Sequence, residues 1–298
     1  MKLLRKFPLV SYFALAYAIT WIIQLAGIIL GNMANMRMSN ETNYLAFVDL
    51  LSGRLSGQQA LAYLVFALGM GPLLAGVIMT AVLDGRSGLR DLWVRCTRWK
   101  VGWKWYAFIV VVPLALNLLA LGVTALVNQG GITLNPKLPW AHFLPFALYM
   151  IVFTGIVEEP GWRGFALPRL QSRYTADRAS WILGVLWGVW HFPFMIYYSD
   201  PLLGPGVLIG SLVGLVMGTI GWTLVNTFLY NNTESVFMAI LLHGLGNAFQ
   251  SYLVLASGNL LAQTLFGLLP WVIAIIISKK YGDENLARRP RPQIEIPA

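Results

Sequence analysis

Eight predominantly apolar stretches follow one another along this chain, each of about the 20 residues that an α-helix needs to cross a lipid bilayer. They cover residues 9–30, 60–83, 105–127, 142–159, 180–198, 206–229, 235–257 and 260–278. Short polar segments separate them. We therefore predict an all-α fold, a polytopic bundle of about eight transmembrane helices.

The composition agrees with a membrane protein and excludes several other classes. Of the 298 residues, 57% are hydrophobic and only 11% are charged, whereas a soluble domain carries about 25% charged residues. An ordinary cytosolic enzyme and a disordered protein are therefore excluded. The single cysteine, Cys96, excludes a disulfide scaffold. A net charge of +9 could suit nucleic acid, but residues that fix a membrane topology explain it better. We expect no nucleic-acid partner.

The distribution of positive charge predicts the orientation of the bundle. If both termini lie in the cytoplasm, 18 of the 21 Lys and Arg residues fall in cytoplasmic segments. Only Arg37, Arg54 and Lys137 fall outside. This asymmetry is the one described by the positive-inside rule, and it supports an even number of spans. The expected location is a bacterial plasma membrane, with the protein as a multi-pass integral component.

The predicted domain organisation is simple. Residues 1–281 are expected to form a single membrane-embedded domain, because the apolar stretches are joined by short segments and no internal repeat is evident. Residues 282–298 contain three prolines and no periodic pattern. We expect them to form a disordered cytoplasmic tail.

Ionisable residues inside a bilayer are costly and are functional candidates by default. Glu158 and Glu159 lie at the inner end of the fourth predicted span, and His191 and His243 lie within the fifth and seventh. At 1.5 Å per residue, the two histidines are about 16 Å and about 12 Å from the cytoplasmic ends of their helices. These side chains are therefore expected to share one cavity that opens toward the cytoplasm.

Helical spacing suggests how the polar groups divide. Glu159 and Arg163 are four residues apart, an arrangement suited to an ion pair, which leaves Glu158 to face another direction. His243 and Asn247 are also four apart and extend a polar stripe into the predicted cavity. Small-residue stripes, including Gly210 and Gly214, are read as close helix packing.

Two hydrolytic chemistries fit this set of residues. In the first, Glu158 is the general base that activates water, aided by His191, while His243 and Asn247 donate hydrogen bonds to the oxyanion. No cofactor is then required. In the second, Glu158, His191 and His243 bind a Zn²⁺ whose water is the nucleophile. The sequence leaves both open. Asn247 suits an oxyanion donor better than a zinc ligand, which favours the first.

Three ordered motifs carry a resemblance to a known family. The run from Glu158 to Arg163 resembles the Glu-Glu-x-x-x-Arg motif of the CPBP family, the CAAX proteases and bacteriocin-processing enzymes also called the Abi family. Trp187 to His191 resembles its second motif, with Trp where phenylalanine is usual. His243 to Asn247 resembles the third. The similarity covers about residues 60–255.

The resemblance implies an intramembrane endopeptidase related to the type II CAAX prenyl protease. It assigns the catalytic site to Glu158, Glu159, Arg163, His191, His243 and Asn247. Its implied partners are the lipid bilayer and a membrane-associated peptide or protein substrate, for which a prenylated CAAX-type C-terminus is one candidate. The rival interpretation is a non-catalytic membrane scaffold, or a transporter that uses Glu158 as a proton-coupling site.

Overall fold

The computed structural model of the protein describes residues 2–199, 202 and 204–292. Within these residues the chain is helical and contains no β-strand. The helices are α1 (Lys2–Lys6), α2 (Pro8–Met33), α3 (Asn40–Leu51), α4 (Gly57–Ala67), α5 (Gly71–Cys96), α6 (Trp103–Val127), α7 (Phe143–Met150), α8 (Val157–Glu159), α9 (Leu167–Gln171), α10 (Ala176–Trp190), α11 (Phe192–Tyr198), α12 (Gly204–Thr233), α13 (Val236–Tyr252), α14 (Leu260–Leu268) and α15 (Pro270–Tyr281).

The predicted membrane spans are confirmed as helices. Within the described residues, six segments are long and apolar enough to cross a bilayer without a sharp bend. They are Pro8–Met33, Trp103–Val127, Trp140–Gln171, Gly204–Thr233, Val236–Ser257 and Leu260–Tyr281. Two further spans are bent pairs, α4 with α5 at 46° and α10 with α11 at 43°. Counting each bent pair as one span gives the expected eight.

The fourth span is longer than the sequence predicted. It continues to Gln171 instead of ending near residue 159, so Glu158 lies within a continuous helical segment and not at its end. Two π-helical turns, Ile151–Ile156 and Pro160–Ala166, flank the short α8 that carries both glutamates. Pro160 is tolerated because it stands at the start of the second π turn.

Close backbone contacts pack this segment against its neighbours. A Cβ added to Gly161 would lie 2.2 Å from the Pro72 carbonyl oxygen, and one added to Gly71 would lie 2.1 Å from that of Ala16. Real Cβ atoms do not come so close to backbone oxygen. Glycine at these two positions therefore lets α2, α5 and the glutamate-bearing segment meet with no side chain between them.

The connections and termini define two ends of the bundle. At one, which we call the terminus end, lie residues 2–7, 97–102, 172–175, 234–235 and 282–292; Glu234 pairs with Arg98 at 2.8 Å and with Arg289 at 3.3 Å, for example. At the other, the far end, lie residues 34–56, 128–139 and 253–259, where the Asn135 N–H donates to the Ala256 carbonyl. Both termini of the described chain are thus at the same end, as the even number of spans requires.

The segment after α15 differs from the expected disordered tail. Leu286 is fully buried among side chains of α10, α12 and α15. The Ala176 N–H donates to the Glu284 carbonyl, and the Asn231 side chain donates to the Asn285 carbonyl at 2.7 Å. Arg291 donates to the Gln171 carbonyl at 2.9 Å. Residues 282–292 are therefore part of the fold, and residues 293–298 lie outside the described residues.

The buried position of Leu286 gives a testable stability effect. Replacing it with Ala should lower the free energy of unfolding by about 2–5 kcal/mol, as for other buried leucines, because the cavity left behind is only partly refilled. Denaturant unfolding in detergent would measure the change. The matched control is Leu51→Ala, since Leu51 is 72% exposed. Equal stability of the two variants would show that the segment contributes nothing to the fold.

Candidate active site

The Glu158 carboxylate is held by two tryptophan side chains. The Trp162 indole N–H donates to Glu158 Oε2 at 3.1 Å, and the Trp187 indole N–H donates to the same oxygen at 2.8 Å. Trp162 reaches it because the two residues are one helical turn apart. With Oε2 fixed in this way, Oε1 remains for a reacting water or substrate. The carboxylate is thereby oriented by neutral donors and not by a cation.

Glu159 points in a different direction and is fully buried. Its Oε1 accepts a hydrogen bond from Arg163 at 2.9 Å, which forms the ion pair expected from the four-residue spacing. The Arg163 guanidinium is also buried, contacts the Thr223 hydroxyl at 3.3 Å, and lies 4.8 Å from the centre of the Trp187 ring. This pair forms a closed layer on the terminus side of Glu158.

His243 connects the two carboxylates. Its Nδ1 lies 2.8 Å from Glu159 Oε1, and because a carboxylate only accepts hydrogen bonds, Nδ1 carries the proton. Its Nε2 lies 4.0 Å from Glu158 Oε1. This distance is too long for a direct hydrogen bond. One water or substrate oxygen could bridge the two atoms.

His191 is oriented by its own helix. Its Nδ1 donates to the Trp187 carbonyl oxygen at 2.8 Å. In the neutral imidazole this leaves the Nε2 lone pair free. His191 borders the same cavity as Glu158, so this nitrogen is available to accept a hydrogen bond from water.

Asn247 also borders the cavity and has a fixed orientation. Its amide N–H donates to the Thr154 hydroxyl oxygen at 3.2 Å, while the Thr154 hydroxyl donates to the Met150 carbonyl at 2.6 Å. The amide group has a second N–H. That hydrogen is available to a ligand in the cavity.

The structure thus brings together all six residues predicted from the sequence, in two layers. Glu158, His191, His243 and Asn247 border a single cavity of about 1030 Å³. Glu159 and Arg163 do not border it; they lie behind it, where Glu159 contacts His243 and Arg163 contacts Trp187. Their geometry is that of positioning residues.

The cavity does not extend toward the end that the sequence predicted. It was expected to open at the terminus end, which the charge distribution assigns to the cytoplasm. Its lining instead reaches the far end, at Asn40 and Asn43 of α3 and at Leu255 between α13 and α14. Glu158 lies within a helical segment that continues to Gln171 on the side of the terminus end, and the side of the membrane on which the cavity opens stays a prediction.

The alternative Zn²⁺ site can be tested against the donor geometry. Among the described residues, no group of three or more His, Cys, Asp or Glu side chains is arranged to hold a metal ion. Glu158 Oε2 is already bonded to two indoles, and His243 Nδ1 to Glu159. These bonds leave Glu158 Oε1, His191 Nε2 and His243 Nε2 free, so the Zn²⁺ alternative stays a prediction, and no step below is derived through a metal.

Sequence reasoning missed three contributors to the site: Trp162, Thr154 and Thr223. Trp162 could have been found, since it lies four residues after Glu158 on the same helix face. Thr154 and Thr223 contact their partners across helices. No spacing rule within one helix predicts such contacts.

A substitution at Trp187 can distinguish the role of its indole N–H from the role of its aromatic ring. Trp187→Phe keeps an aromatic ring but removes one of the two hydrogen bonds to Glu158. Hydrogen bonds to charged groups contribute about 1.5–3 kcal/mol, so kcat of any Glu158-dependent reaction should fall by about tenfold or more. The control is Trp181→Phe on the same helix, where Trp181 is 41% exposed and packs on Trp271. Equal kcat in both variants would contradict a role for the indole N–H.

Comparison with known proteins agrees with the motifs. Residues 140–249 match the family described as type II CAAX prenyl endopeptidase Rce1-like. A CAAX prenyl protease 2 from Methanococcus maripaludis is 32% identical over 149 residues, which cover 48% of this chain and 54% of the relative. The chain thus spans about half the length of this curated relative. The resemblance drawn from the motifs is confirmed: over residues 140–249, this membrane protein is similar to the Rce1-like type II CAAX prenyl endopeptidases.

Proposed function

We propose that the chain is an intramembrane endopeptidase that hydrolyses a peptide bond in a membrane-associated substrate, with Glu158 as general base. The observation that carries the proposal is the state of the Glu158 carboxylate. One oxygen is fixed by two indoles, and the other lies 4.0 Å from His243 Nε2 beside a large cavity. Burying an ionisable group in a bilayer is costly, so a carboxylate kept in this position is a candidate for a functional group.

The proposed reaction begins with a water between Glu158 Oε1 and the free nitrogen of His191. As the water oxygen bonds to the substrate carbonyl carbon, its proton moves to Glu158. The carbonyl oxygen becomes an oxyanion. When the C–N bond breaks, Glu158 returns the proton to the leaving amine, so the carboxylate is regenerated.

His243 and Asn247 are the proposed oxyanion donors. A doubly protonated His243 donates Nδ1–H to Glu159 and presents Nε2–H to the cavity, and Asn247 presents its second amide N–H. Fixed donors of this kind stabilise the tetrahedral intermediate more than the substrate. Glu159 and Thr154 hold the two donors in place before substrate arrives.

The substrate class in this proposal is a membrane-associated peptide or protein, and a prenylated CAAX-type C-terminus is one member of that class. The relative from Methanococcus maripaludis is a CAAX prenyl protease 2. A bacterial plasma membrane is kept as the proposed location. The cavity volume of about 1030 Å³ is large enough for several residues of an extended chain.

Cleavage of a mixed panel of prenylated and hydrophobic peptides by the purified protein tests the proposal. We expect cleavage of at least one peptide, and we expect it to survive a strong zinc chelator, because no step needs a metal. Loss of cleavage on chelation, with recovery on addition of zinc, would favour the Zn²⁺ alternative. A protein that cleaves no peptide in either condition would favour the scaffold or transporter interpretation.

A further inference from the structure

The segment that joins α5 to α6 presents basic and aromatic side chains to the outside of the bundle. The apolar part of α5 ends at Leu83, and the apolar part of α6 begins at Trp105. Residues 84–104 therefore leave the bilayer and return to it at the same surface, which is that of the terminus end. We call the exposed side of residues 86–104 the connector surface.

Part of the connector surface is one face of α5. Arg86, Arg90 and Trp93 are spaced by four and three residues, which places them within about 60° of one another around the helix. All three are exposed. Leu92 and Arg95 on the opposite face are buried. This half of α5 thus has a basic face that points outward and a second face that is fixed to the protein.

Buried contacts hold this half of α5 against the segment that carries Glu158. The Arg95 guanidinium donates to the Gly164 carbonyl at 2.8 Å and to the Tyr230 hydroxyl at 3.0 Å. The Leu92 side chain also packs on Gly164, where an added Cβ would lie 2.5 Å from its Cδ1 atom. The connector surface is therefore preformed, and a ligand does not have to order it.

The acidic side chains of the same segment are already neutralised. Asp84 pairs with Arg169, and Asp91 pairs with Arg95 at 2.7 Å. Among the described residues, no carboxylate pairs with the four cations that line the connector surface, which are Arg86, Arg90, Lys100 and Lys104. The protein itself therefore leaves the positive charge of this surface unbalanced.

Tryptophan side chains stand between these cations. Trp93, Trp99 and Trp103 are 68%, 59% and 74% exposed, which are large fractions for so apolar a side chain. The Lys100 ammonium lies 5.4 Å from the centre of the Trp99 ring. Tryptophan is enriched where the hydrocarbon of a bilayer meets its headgroups. The neighbouring cations are thereby placed at the depth of lipid phosphates, which a soluble acidic protein does not reach.

We propose that the connector surface binds the headgroup of an anionic phospholipid, with Arg86 and Arg90 donating to the phosphate and Trp93 lying along the adjoining acyl chains. Hydrogen bonds from guanidinium groups to phosphate are among the strong, charge-assisted ones. A zwitterionic headgroup brings its own cation, so it balances the charge of this surface less well. The proposal does not depend on the proposed protease function.

Native mass spectrometry of the purified protein in detergent, titrated with dioleoylphosphatidylglycerol or dioleoylphosphatidylcholine, tests the proposal. The first phosphatidylglycerol should bind at least about tenfold more tightly than the first phosphatidylcholine. Each Lys or Arg near an anionic membrane surface contributes about a fivefold change in affinity. The Arg86→Gln/Arg90→Gln protein should therefore bind phosphatidylglycerol about 25-fold more weakly. Both side chains are exposed, so its thermal unfolding midpoint should match that of the wild type.

The matched control is Lys279→Gln/Lys280→Gln, which removes two exposed cations from the same end but outside the connector surface. This variant should bind phosphatidylglycerol as the wild type does. Equal weakening in the two double variants would overturn the site, because the lipid would then respond only to total charge. Equal affinity of the wild type for the two lipids would also overturn it and would favour an acidic protein as partner. Trp93→Ala should weaken binding at constant charge, and an unchanged affinity would contradict the role of the indole.

Discussion

Replacing Glu158 by Gln is expected to abolish peptide cleavage, with a loss of at least about 10²–10⁴-fold, the range attributed to general-base catalysis. Gln has the same shape, and its carbonyl oxygen can still accept both indole hydrogen bonds from Trp162 and Trp187. Its amide nitrogen cannot take a proton from water. Steady-state cleavage by wild type and variant, purified in the same detergent, measures the loss.

The matched control for that variant is Glu234→Gln. Glu234 is a surface glutamate paired with Arg98 and lies away from the cavity. The Glu234→Gln protein should cleave peptides at the rate of the wild type. Cleavage by Glu158→Gln within a few fold of this control would remove Glu158 from the role of base, whatever its burial.

Replacing Arg163 by Met should produce the largest loss of stability. Removing one member of a buried ion pair costs about 3–5 kcal/mol, because the remaining charge is left without a partner. Arg163 and Glu159 are both fully buried, so the Glu159 carboxylate, which then keeps only His243 as a partner, cannot turn to solvent. Denaturant unfolding of the variant in detergent gives the change in unfolding free energy.

The double variant Glu159→Gln/Arg163→Met shows whether the stranded charge is the cause. Gln can still accept the hydrogen bond from His243 but carries no charge. The double variant should therefore be more stable than Arg163→Met alone, as expected for coupled neighbours. If the loss of stability in the double variant equals the sum of the losses in Glu159→Gln and Arg163→Met, the Arg163 side chain acts through packing and not through its charge.

The transmembrane spans were predictable because each depends only on its own apolar length. The same holds for the Glu159–Arg163 pair, whose four-residue spacing lies within one helix. The three motifs also contain Glu158, His191, His243 and Asn247, which border the cavity. These features depend on residues that are close in the sequence, so they can be predicted from it.

Other features depend on how the helices pack, and no local sequence pattern predicts them. The cavity is lined by residues of α10, α12, α13 and α14, among others, so its shape depends on contacts between helices. Thr154 is placed by contact with another span. The segment around Leu286 was predicted to be disordered because it contains prolines and no periodic pattern, but one buried leucine and several backbone hydrogen bonds fix it. Each of these depends on a partner distant in sequence.

The two π turns around α8 have a consequence for comparing this chain with relatives. A π turn contains one residue more than an α turn, so each turn behaves as a one-residue insertion that the helix absorbs. Deleting one residue within Ile151–Ile156 would restore a regular α turn and rotate the following residues by about 100°. Glu159 would then approach the direction now taken by Glu158. An alignment with a relative whose helix is regular here should therefore admit a single-residue gap, so that residues facing the same direction are paired.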